Sequence, residues 1–363
     1  MKKLIVVIIS LLSIHNLFAQ FHTLNMPQSS PRVIESQKLG VTKITIDYGS
    51  PSLNGREPWI DSNIIPQNGD PIPWRAGANM ATTINFTTDV YIENNLLKAG
   101  KYGLHIVPNN DKYTILFAHN YNQWGSYYLD IEKDVSLSVT VLSKECQKSE
   151  QLDFEFFRKT ENSLIIGLEW DNKQIPFKVK VDLNKTVVES FRHELQGINT
   201  YHWQAWNDAA LWCLNHDTNL EEALQWIDRS INGGYNNFGA NRNFVNVSTK
   251  IRILKKMNKT DEFQSAYLEL KKIDCSVGEA YDFSRYLVES NQFELAVDFL
   301  AAIIKKYPES WFILLNNGIA NYFSGDKKKG ITNIEKAIQK APESYHDYLN
   351  GVIEQMNKGT YGS

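Results

Sequence analysis

Val135-Ser136-Leu137-Ser138-Val139-Thr140-Val141 alternates apolar and hydroxyl-bearing side chains without a break. In an extended chain every second side chain lies on the same face, so this run reads as a half-buried β-strand. The same rhythm extends towards the N terminus. Thr42, Ile44, Ile46 and Tyr48 form one face of a strand and Val41, Lys43, Thr45 and Asp47 the other. Further strands are predicted over Thr83–Thr87, Val90–Glu93, Tyr102–Val107 and Tyr113–Ala118, rich in β-branched and aromatic residues. Beyond the starting stretch come Leu152–Phe156, Ser163–Glu169 and Pro176–Val181. Turn signals separate them at Asn94-Asn95, Ala99-Gly100, Pro108-Asn109-Asn110 and Asp171-Asn172. Many short strands with no helices between them predict an antiparallel, all-β sandwich or jelly-roll-like domain.

Near Phe191 the rhythm changes, and from Trp203 apolar residues recur three and four apart. Leu314, Gly318, Gly330, Ile334, Ala337 and Pro342 form one unit, with a turn at Gly325-Asp326. Ala280, Ser284, Ala296, Leu300, Ile303 and Pro308 fall in the same phase one unit earlier. The offset of about 34 residues, the small residues in both helices and the closing proline resemble the tetratricopeptide repeat. Weaker units are marked by Phe263, Ala266 and Leu270 and by Leu220, Ala223 and Ile227, with an insertion from Gly233-Gly234 to Asn243. Small residues suit helices that must approach closely, and stacked hairpins bury one another's apolar faces. About four helical hairpins are expected, the first two degenerate. Tyr201, His202, Trp203, Trp206 and Trp212 could form a cofactor box, but Trp203 and Trp206 share a helix face and read as a packing seam between the domains.

The first residues carry Lys2-Lys3, an apolar run from Leu4 to Leu12, and Leu17-Phe18-Ala19 before Gln20. That order is a secretory leader, and the run is shorter than the ~20 residues of a membrane span. The domain plan is therefore a signal peptide over 1–19, a β-rich domain over 20–190 and helical repeats over 191–363, with no membrane span in the mature chain. Export to the periplasm or beyond follows from the leader. Of 38 basic side chains two lie in the leader, which holds no acid, so the net charge of −3 becomes −5 after cleavage. Mild acidity without a basic block argues against nucleic-acid binding. Cys146, Cys213 and Cys275 are too few and scattered for a disulfide framework or a zinc site, so no metal and no cofactor are expected, though one disulfide is open.

Between the early strands lies an unusual polar segment, Ser50-Pro51-Ser52-Leu53-Asn54-Gly55-Arg56, followed by Trp74-Arg75-Ala76-Gly77-Ala78-Asn79-Met80-Ala81-Thr82. With Ala99-Gly100-Lys101-Tyr102 and Trp124-Gly125, these runs resemble an exported bacterial family known as domain of unknown function 2911. The resemblance covers roughly Pro27 to Val181 and implies export but no activity. The chain departs from the family pattern at Gly49-Ser50, where many relatives carry Ser-Arg.

Read physically, Arg56 and Arg75 in Gly- and Pro-rich connections suit an anion or a carbohydrate hydroxyl, and Asn79 adds amide donor and acceptor groups. Trp74 and Trp124 offer apolar platforms, and His105 titrates near neutrality when unperturbed. The plainer alternative is that loop arginines bond backbone carbonyls and tryptophans fill the core. No G-x-S-x-G, H-E-x-x-H or P-loop is present, and His193-Glu194 lacks a second histidine. Glu155, Glu169 and Asp171 are carboxylates in or beside strands that a glycosidase pair would use, and a chance surface grouping is the plainer reading of them. These features predict an envelope binding or assembly protein, with repeats that hold a protein partner and a β-domain that takes a small polar or carbohydrate ligand. The alternatives are a hydrolase of carbohydrate or ester substrates and a scaffold whose motif only stabilises the fold.

Overall fold

The computed structural model describes residues 26–362. The leader read over residues 1–19 lies outside them. Among the described residues no helix is long and apolar enough to cross a membrane. The chain divides into two compact units between Val187 and Val188.

The first unit contains β1 (Arg32–Leu39), β2 (Thr42–Gly49), β3 (Thr82–Phe86), β4 (Val90–Ile92), β5 (Asn95–Leu97), β6 (Gly100–Asn109), β7 (Lys112–Ala118), β8 (Val135–Leu142), β9 (Lys144–Phe157) and β10 (Ser163–Lys180). They form a six-stranded sheet in the order β1-β2-β3-β6-β7-β8 and a four-stranded sheet in the order β5-β4-β10-β9. Every ladder is antiparallel, as the alternation predicts. Inward side chains of both sheets share one core. Phe117 meets Phe177 at 5.9 Å between ring centroids, and Tyr48 meets Phe154 at 4.9 Å. The starting stretch is β8, with Val139 and Val141 buried and Ser136, Ser138 and Thr140 exposed. In β2 the predicted face of Thr42, Ile44, Ile46 and Tyr48 is buried.

Three features depart from the sequence reading. Strand β1 is an edge strand whose half-buried positions include the polar Glu35 and Gln37, so it lacks the apolar alternation that betrays a strand. Asp171-Asn172 is not a turn, because β10 runs unbroken through it. The pairing with β9 slips on both sides of Asp171, which sits at φ +55°, so the local polar residues mark a bulge instead. The third is the Asn94-Asn95 turn, which shifts by one residue. Ile92 pairs with Asn95, leaving Glu93 and Asn94 at φ +46° and +70° as a two-residue hairpin loop.

A short helix, α1 (Ile131–Asp134), precedes β8, and α2 (Leu183–Glu194) begins before the expected change near Phe191. Eight helices then pair as α3 (Trp203–Asn215) with α4 (Leu220–Asn232), α5 (Phe244–Lys256) with α6 (Thr260–Leu270), α7 (Val277–Glu289) with α8 (Phe293–Lys306), and α9 (Trp311–Phe323) with α10 (Lys327–Ile338). A final helix, α11 (His346–Lys358), follows. The four expected hairpins are present in a repeat-like array. Their close approach explains the small residues. A Cβ on Gly318 would lie 2.9 Å from the Gly330 carbonyl oxygen, and one on Gly330 would lie 2.8 Å from that of Gly318. Ala280, Ser284 and Ala296 are fully buried in the preceding repeat. Trp206 packs against the helical core.

Candidate functional site

In β6, Tyr102, Leu104 and Ile106 point into the core, so Gly103 and His105 project from the opposite face. His105 is nevertheless 0% exposed. The chain between β7 and α1 folds across that face and brings Ser126, itself 2% exposed, to the ring. His105 Nδ1 and Ser126 Oγ are 2.7 Å apart. Gly103 makes room, since a Cβ there would sit 3.0 Å from His105 Nε2.

Burial first, and then the positive charge of Arg75, push the imidazole down to about 4, with Asp134 opposing. The ring is therefore neutral at physiological pH. Its Nε2 is buried and has no hydrogen-bond partner among the described residues. Of the two tautomers, the one in which Ser126 donates to Nδ1 leaves a single polar group unsatisfied. The reverse tautomer strands both the serine proton and the Nε2 lone pair. Ser126 is thus held as a donor to a neutral base.

The covering loop is internally braced. Gln123 donates to the Asn120 carbonyl at 3.0 Å and accepts from the Tyr128 amide at 3.0 Å. Asp134 accepts from Asn120 at 3.2 Å and from the Asp130 amide at 3.0 Å. The loop also joins the Trp74–Thr82 run, through a bridge between Met80 and Trp124 and a bond from the Ala81 amide to the Gln123 carbonyl. On this rigid base Trp124, Tyr127 and Tyr128 stand 54%, 62% and 75% exposed. Arg75 donates from Nη1 to the Asn79 carbonyl at 2.8 Å and lies 5.9 Å from the centre of the Tyr127 ring. It has no ion-pair partner among the described residues. Gly125, at φ +62°, passes close to its guanidinium.

The sequence-derived residues divide accordingly. Arg75, Asn79, His105 and Trp124 gather at this corner. The Asn79 carbonyl serves Arg75 and the Gly125 amide, while its side chain donates to Gln28 and Ser30. Trp74 does not face a ligand: it is 3% exposed and stacked on Trp170 at 6.3 Å within the core. Arg56 braces its own loop, donating to the carbonyls of Leu53 and Ser52 at 3.0 and 2.6 Å. Among the described residues no contact ties Arg56 to Arg75. Gly77 packs its backbone against Gly49 and Thr82, and Thr82 donates to the Ala76 carbonyl at 2.9 Å, so much of the run braces a corner. Ser126, Gln123 and Tyr127 escaped sequence reading. Only the position of Ser126 just after Trp124-Gly125 hinted at it.

Elsewhere in this unit Tyr48 donates its one hydroxyl proton between two carboxyls, Glu35 at 2.8 Å and Asp153 at 2.5 Å. Burial raises Glu35 above the usual carboxylate range, and the neighbouring Asp153 and Glu155 charges add to that. Glu169 accepts from Gln174, and Asp171 faces Lys148 at 3.5 Å. Among the described residues no His, Cys, Asp or Glu group has metal-holding geometry. All three cysteines are free, and burial takes the Cys213 thiol up to about 11.

In the helical unit the first helices of successive hairpins line two hollows. One, of about 280 Å³, lies between α3, α5 and α7 and carries Ser248, Arg252, Asp282 and Arg285. Arg252 Nε is buried without a partner among the described residues, and its guanidinium sits 4.8 Å from the centre of the Tyr286 ring. Burial lowers its pKa below the ordinary guanidinium value. The other hollow, of about 640 Å³, lies between α7, α9 and α11 and is walled by Tyr281, Leu315, Ile319, Phe323 and Tyr348.

These positions can be set beside known proteins. Residues 30–179 match the family described as protein of unknown function (DUF2911). The DUF2911 match spans the sandwich and the Arg75 corner and carries no activity with it. No curated protein matches the chain. Among solved structures, MamA from Desulfovibrio magneticus RS-1 is 19% identical, over 44% of this chain and 86% of its own, with a TM-score of 0.31. YrrB, described as a TPR protein with an unusual peptide-binding site, is 13% identical, over 46% of this chain and 82% of its own, with a TM-score of 0.32. At such scores neither likeness adds to what the helices show directly.

Proposed function

We propose that this chain is an exported binding or assembly protein of the cell envelope, whose helical array holds a protein partner. The leader pattern of Lys2-Lys3, the apolar run and Ala19 supports export. The observation that carries the reading is the face made by the first helices of the hairpins. It holds Arg252, half-buried and with no ion-pair partner among the described residues, at one end and exposed aromatic rings at the other. Polypeptide recognition by stacked hairpins uses such a face. Pull-down from envelope extract is expected to recover a partner with the native chain and to lose it with Arg252→Glu and with Tyr348→Ala. Equal recovery by both variants overturns the groove assignment. Mass spectrometry of the mature protein is expected to find Gln20 at its N terminus.

The DUF2911 unit is the ligand module in this reading. The Arg75 guanidinium, without an ion-pair partner among the described residues and beside exposed Trp124 and Tyr127, suits a small polar or carbohydrate ligand, through hydrogen bonds and ring stacking. A glycan thermal-shift screen with native protein and Arg75→Ala tests it. A melt raised equally in both removes Arg75 from the site.

One observation favours a second reading, a hydrolase acting on ester or carbohydrate substrates. Ser126 donates to a neutral histidine, the arrangement of a serine nucleophile with its base. Ser126 Oγ would add to an ester carbonyl as His105 Nδ1 takes its proton, which then goes to the leaving alcohol. Substrate would reach Ser126 only when the covering loop lifts. A fluorophosphonate probe is the test: labelling lost in Ser126→Ala supports this reading, and an unlabelled native chain removes it.

A further inference from the structure

Helix α11 ends in a turn that sends the chain back over the array. Gly359 sits at φ +71°, its amide donates to the Met356 carbonyl at 3.1 Å, and the Thr360 amide donates to the Gln355 carbonyl at 2.9 Å. This pair of bonds, closed by a left-handed glycine, reverses the chain direction after a helix. The next residues, Tyr361 and Gly362, therefore land in the hollow between α7, α9 and α11 and line it. The Tyr361 ring lies 6.0 Å from that of Phe323 at 32°, and Phe323 is stacked on Phe293 at 4.9 Å. Gly362 follows so closely that a Cβ there would sit 2.9 Å from Phe323 Cζ.

We propose that this end of the groove is a seat for an aromatic side chain of the partner polypeptide, and that Tyr361 fills the seat when no partner is bound. The inference rests on the reading that the array binds a protein. Its walls choose the chemistry. Tyr281, Phe293, Phe323 and Tyr348 line it, and the Arg285 guanidinium lies 5.7 Å from the centre of the Tyr281 ring. An incoming Tyr, Phe or Trp repeats the ring contact that Tyr361 makes, whereas an aliphatic side chain forfeits it. Tyr361 is well placed to yield. Its ring is only partly buried, and no hydrogen bond holds its hydroxyl among the described residues. The short tether gives it a high local concentration at the seat.

The test uses a chain shortened to end at Gly359, with a fluorescent peptide of the sequence Lys358–Ser363 as probe. The shortened chain is expected to bind that peptide about tenfold more tightly than the full chain, because the tethered competitor is gone. The peptide with Ala in place of its tyrosine is expected not to bind, and Phe323→Ala in the shortened chain is expected to abolish binding. Equal binding by the two chains, no binding to the shortened chain, or an Ala peptide that binds as well each overturns the proposal. Circular dichroism of the Phe323→Ala chain separates a lost seat from a lost fold. The envelope pull-down fails independently. A seat that accepts the peptide while no partner is recovered sinks the groove reading alone, and a partner captured equally with or without residues 360–363 sinks this one alone.

Discussion

In the β unit the side chains that meet come from distant parts of the chain. Tyr48 reaches Asp153, Trp74 stacks on Trp170, and Arg75 lies over Tyr127. In the helical unit the partners are neighbours in sequence. Gly318 meets Gly330 within one hairpin, and Tyr267 donates to Asp298 in the next repeat along. The difference shows where each unit places its unusual chemistry. A sandwich closed by long-range ladders keeps single-copy features in its loops, such as the covered His105–Ser126 pair. An array of nearest-neighbour contacts repeats one face along its length and varies it residue by residue, from Arg252 to Tyr348.

The largest effect expected of this contrast comes from Gly330→Leu. Backbone oxygen lies where the new Cβ must go, so α9 and α10 must separate, at a cost of about 3 kcal/mol or more. Calorimetry is expected to show the transition of the array lowered and that of the sandwich unmoved. A shift of both breaks the picture of two separately cored units. Ser126→Ala comes next. It leaves a buried imidazole nitrogen without its donor, and a loss of about 1–2 kcal/mol is expected in chemical denaturation of the sandwich alone.

Smaller again is Glu35→Gln, which sharpens the contrast through pH. Burial favours the protonated carboxyl in the folded state, so the stabilisation from Glu35 is full below its unfolded pKa and is lost as pH rises through the raised folded value. The glutamine variant is thus expected to be more stable than the native chain at pH 7, by less than about 1 kcal/mol given partial solvent screening. The difference should vanish in melts near pH 3. A variant less stable than native protein at pH 7 contradicts the assignment. The smallest effect is that of Trp124→Ala, whose ring is largely solvated: stability within about 0.5 kcal/mol of native, with any ligand-induced shift of the melt lost.

The residues that gave up their structure to reading are those whose periodicity was driven by one-sided burial. β2 and β8 alternate because one face meets the core, and Gly318, Gly330, Ala280 and Ala296 stand out because helices touch there. β1 gave no such signal, since its half-buried positions between Val33 and Leu39 carry the polar Glu35 and Gln37. Asp171 misled because a bulge and a turn use the same polar residues. At the site, Arg75, Asn79, His105 and Trp124 drew notice as residue types, whereas Ser126 is one serine among many until β6 and the covering loop bring it to His105.

The amino-acid sequence alone determined the two rhythms, the antiparallel sandwich they imply and the four hairpins, because local burial writes a period into the chain. Tertiary structure decided that Arg75 sits beside Tyr127 with no ion-pair partner among the described residues, that Trp74 is core and Trp124 surface, that His105 is buried on the outward face of its sheet, and that Tyr361 turns back onto Phe323. Each of those depends on contacts between segments whose separation along the chain leaves no periodic trace. Such pairings are set by how the sheets and helices close upon one another, and no run of neighbouring residues encodes them.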